Sequence, residues 1–351
     1  MKKRREFLKK ATGVGMACMT PSILLSQSST PAPHISSVKA KALKKGDTIG
    51  LVAPGFAIPL FVLEKAKETL IKMGFIPYHT DRILGNHGYF SNTDEERAAD
   101  LNEMFANPKI DGILCARGGY GCTRIMHMID YDIIRNNPKT FIGFSDITAL
   151  LNGIYQKTGL ITFHGPVGST ITDDYSIAQL KRVVMHTRAK QALKNKVYPL
   201  NSEFKKPEYD QYIICPGKVS GKLVGGSLTL VSALVGTPDE IDFTDAIVCL
   251  EEIEEAPYRI DRMLTQLIHS KTFHKAAGFA LGVFKGCDRI PAPTTFTLKE
   301  VIMDRIAPLN VPAVYGLTFG HIDHNFTFPI GTMASLDADK MKLTLLETSV
   351  Q

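Results

Sequence analysis

From residue 47 to residue 159, short apolar runs alternate with segments of helical period, and few architectures accept that order. The run DTIGLVAPG reads as a buried strand ending in a Pro-Gly loop, a helical pattern follows over 59–73, and FIPYHT is a short strand. Residues 94–105 place acidic side chains first and apolar ones at helical spacing, the pattern of an amphipathic helix. IDGILCA is another buried strand, running into the glycine-rich RGGYG and a helix to about residue 129. TFIGF is a further strand, and DITALLNGIYQKTG is a helix closed by Gly159. Strand–helix alternation of this kind predicts an α/β fold whose N-terminal sheet is parallel, flavodoxin-like and covered on both faces.

The rhythm breaks over 176–216, a basic stretch holding NSEFKK and KKP that reads as a crossing helix plus a linker. At 351 residues the chain suits two cores, because single cores stop growing at roughly 250–300 residues. The expected layout is residues 1–38 as export signal and linker, and 39–175 as an N-terminal domain. The crossing segment then covers 176–216, and 217–351 forms a mixed α/β C-terminal domain. In that last part AIVCLEE is a buried strand and YRIDRMLTQLIHS a helix. The alternation in MASLDADKMKLTLLE predicts a terminal hairpin around 337–339.

The formal charge of +6 sits almost entirely at the start. Residues 1–30 carry Lys2, Lys3, Arg4, Arg5, Lys9 and Lys10 against Glu6, so the body is close to neutral and nucleic acid is not an expected partner. The basic run KKRREFLKK, the small apolar stretch 11–25 and the polar SQSSTPAP follow the order of an export signal. The Arg-Arg-x-Phe-Leu pattern resembles the twin-arginine type. The predicted location is therefore outside the cytoplasm, in the periplasm. Pro21 interrupts the stretch, which is too short to span a bilayer of ~30 Å, so no stable membrane span is expected. Once Cys18 leaves with the signal, Cys115, Cys122, Cys215, Cys249 and Cys287 remain. An odd number without Cys-x-x-Cys spacing predicts neither a disulfide framework nor a zinc knuckle.

Four stretches can carry chemistry. In GFSD, Ser145 stands directly between a buried strand and a helix. A sharp turn there lifts the hydroxyl above the sheet and leaves the first helical N–H groups free for a developing oxyanion. The pattern is not Gly-x-Ser-x-Gly, and a plain Ser-Asp helix cap accounts for it equally well. In RGGYG, adjacent glycines let the backbone approach a ligand closely, with spacing that fits neither a Walker loop nor a dinucleotide fingerprint. In LEEIEE, Glu254 and Glu255 suit a helix start. Glu251, beside Cys249 and Leu250, is a partly buried carboxylate that needs a partner such as histidine. In GHIDHNF, either His321 or His324 can act as a base, and His164 of FHGP is a third candidate. Read as a metal site, His321, Asp323 and His324 face one ion only if the loop curls.

Together these stretches resemble the LD-carboxypeptidase family, which also contains the microcin-immunity peptidases. The likeness runs in order through GDTIGLVAP, Arg97-Ala98-Ala99-Asp100-Leu101, DGILCARGGYG, FIGFSDITALL and FHGP. It continues through GG-x-LT at 225–229, LEEIEEAPYRIDRML and GLTFGH. The resemblance implies Ser145 as nucleophile, Glu251 as orienting acid and His321, rather than His324, as base. It implies an oxyanion hole from the N–H of Asp146 and a glycine of RGGYG, Gly118 first and Gly119 as the alternative. The implied reaction is hydrolysis of the amide between an L-centre diamino acid and a terminal D-alanine in murein peptides, through an acyl-enzyme. It needs no metal or organic cofactor.

Serine and its partners lie on opposite sides of the expected boundary, which puts the site at the domain interface. Arg117 is the cation proposed for the substrate carboxylate, and a homodimer is left open. The export signal departs from cytoplasmic recycling, so an exported enzyme meets intact or freshly released murein. Three other classes remain: a peptidase that clears a peptide–nucleotide antibiotic, a non-catalytic murein-peptide binder, and a metal-dependent amidase.

Overall fold

The computed structural model describes residues 36–196, 206–288 and 295–351. The expected export signal and part of the expected linker therefore lie outside the described residues. Ile35–Gln351 forms one compact unit.

The first half builds β1 (Thr48–Val52), α1 (Leu60–Met73), β2 (Ile76–Tyr78), α2 (Asp94–Ala106) and β3 (Gly112–Cys115). The short helices α3 (Cys122–Ile125) and α4 (Tyr131–Asn136) follow, then β4 (Thr140–Gly143), α5 (Thr148–Thr158), β5 (Thr162–His164) and α6 (Asp174–Val184). The apolar runs become strands because they are buried on both faces: every residue of β3 and β4 is buried. In α1 the buried Leu63, Ala66, Leu70 and Met73 recur at helical spacing. Thr93 caps α2 through a reciprocal bond with Glu96, as the early acidic residues of that segment anticipate. Helix α4 was not anticipated; Asp130 starts it by accepting from the N–H groups of Asp132 and Ile133.

The second half adds β6 (Gln191–Ala192), β7 (Tyr212–Cys215), β8 (Lys218–Ser227), α7 (Leu228–Ala233), β9 (Ile247–Ile253) and α8 (Pro257–Ile268). After these come β10 (Gly278–Lys285), α9 (Leu298–Ile306), β11 (Ala313–Tyr315), β12 (Phe328–Ile330), β13 (Met333–Asp337) and β14 (Lys342–Leu345). The expected hairpin is β13–β14, with Asp337 opposite Lys342.

Two sheets result. The first has the order β12-β5-β4-β3-β1-β2, parallel from β5 to β2. Read from its far edge, β2-β1-β3-β4-β5 is the flavodoxin order, so ligands are expected at the carboxyl ends of β1 and β3, where the order reverses. The second sheet runs β6-β14-β13-β8-β9-β10-β11-β7 and mixes parallel and antiparallel pairs.

Two features fasten one sheet to the other. Helix α5 is buried along almost its whole length. From it, the Asn152 side chain donates to Gly225 O and accepts from Gly225 N, at 2.8 and 3.0 Å. One turn earlier, Thr148 Oγ1 accepts from Ser227 N at 3.0 Å. Both partners lie on β8, so the helix that follows Ser145 is registered against the second sheet. Second, the chain leaves β11 in the second sheet and returns as β12 on the edge of the first, Phe328 pairing antiparallel with His164. The residues that cross between the sheets include His321.

Candidate active site

Ser145 leaves β4 through Phe144 in extended conformation and itself takes φ 63°, the left-handed region. A non-glycine residue held there stores about 1–3 kcal/mol and persists only where its surroundings fix it. The result is the sharp strand-to-helix turn that the sequence suggested, with the serine half-buried at the carboxyl edge of the first sheet.

The RGGYG loop closes over this turn. A Cβ on Gly118 would lie 3.0 Å from Ser145 Cβ and 3.2 Å from Asp146 N, so any side chain there would crowd the serine turn. Asp146 is buried, and its Oδ2 accepts from Cys122 N at 2.9 Å, tying the turn to the end of the loop. Burial pushes the Asp146 carboxyl above its ordinary range, opposed by the bonds from Cys122. Gly118 O is taken by Phe56 N at 3.1 Å. Among the described residues, the N–H groups of Asp146, Gly118 and Gly119 donate to no backbone carbonyl. Arg97, buried in α2, supports the loop by donating to Pro54 O and to Gly121 O. Sequence reading took Arg97 only as part of a motif; its position is fixed by carbonyls that no pattern displays. Arg117 is exposed, 5.4 Å from the Phe56 ring centroid, with one long bond of 3.4 Å to Ala57 O.

Glu251 comes from the other sheet. On β9 it sits in register with Ser227, the residue held by Thr148, and that contact carries the carboxylate to the serine turn. It is fully buried. His321 joins the two: its Nδ1 lies 2.7 Å from Glu251 Oε2 and its Nε2 2.9 Å from Ser145 Oγ. Gly320, at φ 126°, precedes it, and a Cβ there would meet Val283 O at 2.8 Å and Glu251 Cβ at 3.2 Å. Burial alone would raise Glu251, but the charge and hydrogen bond of His321, with His164 close behind, hold it down to about 2. Burial lowers His321, and the Glu251 carboxylate outweighs it, leaving the imidazole above its ordinary value. Glu252, also buried and next to that carboxylate, is pushed up to about 7.

The other histidines go elsewhere. His324 Nδ1 meets Asp173 Oδ1 at 3.1 Å, and Asp173 caps α6. Asp323 is exposed, and its backbone carbonyl accepts from Ser176 Oγ. His321, Asp323 and His324 therefore diverge, and no group of three or more His, Cys, Asp or Glu among the described residues is arranged around a metal position. Ser145 Oγ is met by His321, whereas His164, the third candidate base, stands behind Glu251, its Nε2 3.7 Å from Oε1. Cys115, Cys122, Cys215, Cys249 and Cys287 are free thiols. No helix among the described residues is long and apolar enough to cross a membrane. A serine hydroxyl bonded to an imidazole, itself bonded to a buried carboxylate, is an arrangement that can activate the oxygen as a nucleophile.

The electrostatics make one test available without a substrate. Followed by NMR, the His321 imidazole should titrate above about 6.5, the usual histidine value. Glu251→Gln, which removes the facing negative charge, should lower that midpoint. An unchanged midpoint would show that the carboxylate does not govern His321.

Comparison with known proteins shows what the chain as a whole is similar to. Residues 49–165 match the LD-carboxypeptidase N-terminal domain and residues 220–336 the LD-carboxypeptidase C-terminal domain. The chain is 36% identical over 315 residues to a probable murein peptide carboxypeptidase of Bacillus subtilis, covering 89% of this chain and 95% of that one. The structure of an MccF-like protein from Bacillus anthracis superposes with a TM-score of 0.78 at 26% identity, covering 89% of this chain and all of that one. The muramoyltetrapeptide carboxypeptidase of Oxalobacter formigenes matches with a TM-score of 0.72 at 27% identity, covering 85% and 97%.

Proposed function

The chain belongs to the LD-carboxypeptidase family of serine-type hydrolases, and on that premise we propose that it releases terminal D-alanine from murein tetrapeptides. The bond cut is the amide joining the L-centre of the third-position diamino acid to that D-alanine. The observation that carries this reading is His321 standing within hydrogen-bond reach of both Ser145 Oγ and Glu251 Oε2.

The steps follow from the atoms. His321 Nε2 takes the Ser145 proton as the hydroxyl oxygen attacks the scissile carbonyl. Glu251 accepts from Nδ1–H, fixes the tautomer and stabilises the imidazolium that forms. The developing oxyanion faces the Asp146 N–H and the Gly118 N–H, with Gly119 as the alternative donor; one such donor contributes about 3–4 kcal/mol. The C–N bond then breaks, His321 returns its proton to the leaving amine, and the acyl group stays on Ser145. Water, deprotonated by the same imidazole, releases the tripeptide. Arg117, exposed at the start of the RGGYG loop, is the cation assigned in this reading to the carboxylate of the departing residue.

Ser145→Ala should abolish release of D-alanine while the protein still binds the tetrapeptide, since the cleft and its N–H donors remain. The unaltered enzyme should release D-alanine, and an all-L tetrapeptide should be a poor substrate. Full activity in Ser145→Ala, or complete inhibition by a chelator with rescue by zinc, would move the chemistry to a metal-bound water.

The order of residues 1–30 supports export by the twin-arginine route, which would bring the enzyme to wall-attached or freshly released murein. Replacing Arg4 and Arg5 together by Lys should leave a larger precursor in the cytoplasm. Finding the unaltered protein full-length in the cytosol would refute export.

A further inference from the structure

His164 has no part in the steps above, yet it is placed as few buried histidines are. It ends β5 and is fully buried. Its ring stacks on Phe328 at 4.5 Å and 15°, with the edges of Phe144 and Phe319 at 6.0 and 6.1 Å. These aromatics come from β12, from the residue before Ser145 and from the loop before His321. A phenylalanine would suit such a socket better than a ring that brings two polar nitrogens into it. Among the described residues neither ring nitrogen has a hydrogen-bond partner. Its Nε2 faces Glu251 Oε1 at 3.7 Å, just beyond hydrogen-bond length and too close to admit a bridging water.

The carboxylate has the complementary deficit. Glu251 Oε2 is taken by His321, while Oε1 is buried and has no hydrogen-bond partner among the described residues. A buried acceptor left unmet is destabilising, more so where it carries charge. A small movement of either group satisfies donor and acceptor together. A carboxylate held through one oxygen can also turn about its side-chain bonds; held through both, it cannot.

We propose that His164 is a positioning residue: its Nε2–H donates to Glu251 Oε1 and locks the carboxylate so that Oε2 stays directed at His321 Nδ1. The working unit is then a line of four side chains, Ser145, His321, Glu251 and His164, drawn from β4, the β11–β12 crossing, β9 and β5. The socket's packing keeps the His164 ring from turning away. The charged or titratable groups near this line are Glu251 and Glu252 on β9, His321 on the crossing and Lys285 on β10; β12 and the start of α5 bring Phe328 and Thr148, and β8 brings Gly226.

The test compares two variants. His164→Phe keeps a flat ring on Phe328 and removes the donor, whereas His164→Gln returns an N–H near the position of Nε2. If His164→Phe does not fold, His164→Leu serves as the donor-free variant. In the donor-free protein the His321 NMR titration should move down toward the ordinary value, because the carboxylate no longer stays aligned. His164→Gln should restore the midpoint. The kinetic arm rests on the proposed function: kcat for D-alanine release should fall roughly 10–100-fold with KM little changed, and recover in the Gln variant. An unshifted or raised His321 midpoint in the donor-free protein would overturn the assignment, as would Gln and Phe variants impaired alike. The titration needs no substrate, so it decides the role of His164 even if murein tetrapeptide proves to be the wrong substrate.

Discussion

A carboxylate sealed from water dictates the design of this site. Glu251 is fully buried at the end of a strand in the second sheet, and a lone charge there would be prohibitively costly. It is tolerated because His321 comes to it at 2.7 Å, and His321 can come only because the chain crosses from β11 to β12 at that level. The same crossing brings Nε2 to Ser145. The serine's side is set by a second link: Asn152 and Thr148, on the helix that Ser145 opens, bind Gly225 and Ser227 on β8, and Ser227 is in register with Glu251. Neither sheet alone contains the site. Their hydrogen-bonded docking creates it, and the buried charge makes that docking specific.

Rigidity on the nucleophile side complements this. Ser145 sits at a positive φ between a buried strand and a buried helix, and the RGGYG loop presses on it through Gly118. Asp146 and Arg97 both hold the peptide that closes that loop, one through Cys122 N and the other through Gly121 O. The N–H groups of Asp146 and Gly118 in this turn donate to no backbone carbonyl among the described residues, which the proposed oxyanion role requires. The loops at the carboxyl ends of β1 and β3 meet here through Phe56 N and Gly118 O, at the level where a flavodoxin-ordered sheet commonly binds its ligand.

Much of this is legible in the sequence, for identifiable reasons. The parallel sheet shows because its strands are buried on both faces and read as unbroken apolar runs such as GILC and TFIG. Ser145 and Glu251 show because each ends such a run. His321 and His324 cannot be told apart from spacing; the family resemblance chose His321, and the structure explains the difference by giving His324 to Asp173 at the cap of α6. Three features stay hidden. Helix α4 is short and depends on an Asp130 cap. The return of β12 to the first sheet is a three-residue pairing between distant segments, which leaves no local periodicity. His164 reads from the sequence only as a third candidate base in FHGP, and its place behind the Glu251 carboxylate shows only in the fold.

The central claim is that the Ser145–His321–Glu251 line, and no neighbouring histidine, performs the hydrolysis. The most direct measurement is the turnover number for D-alanine release by His321→Ala beside His324→Ala. Loss of several orders of magnitude in the first, with a small change in the second, is the predicted result. Equal losses, or a larger loss in His324→Ala, would contradict it.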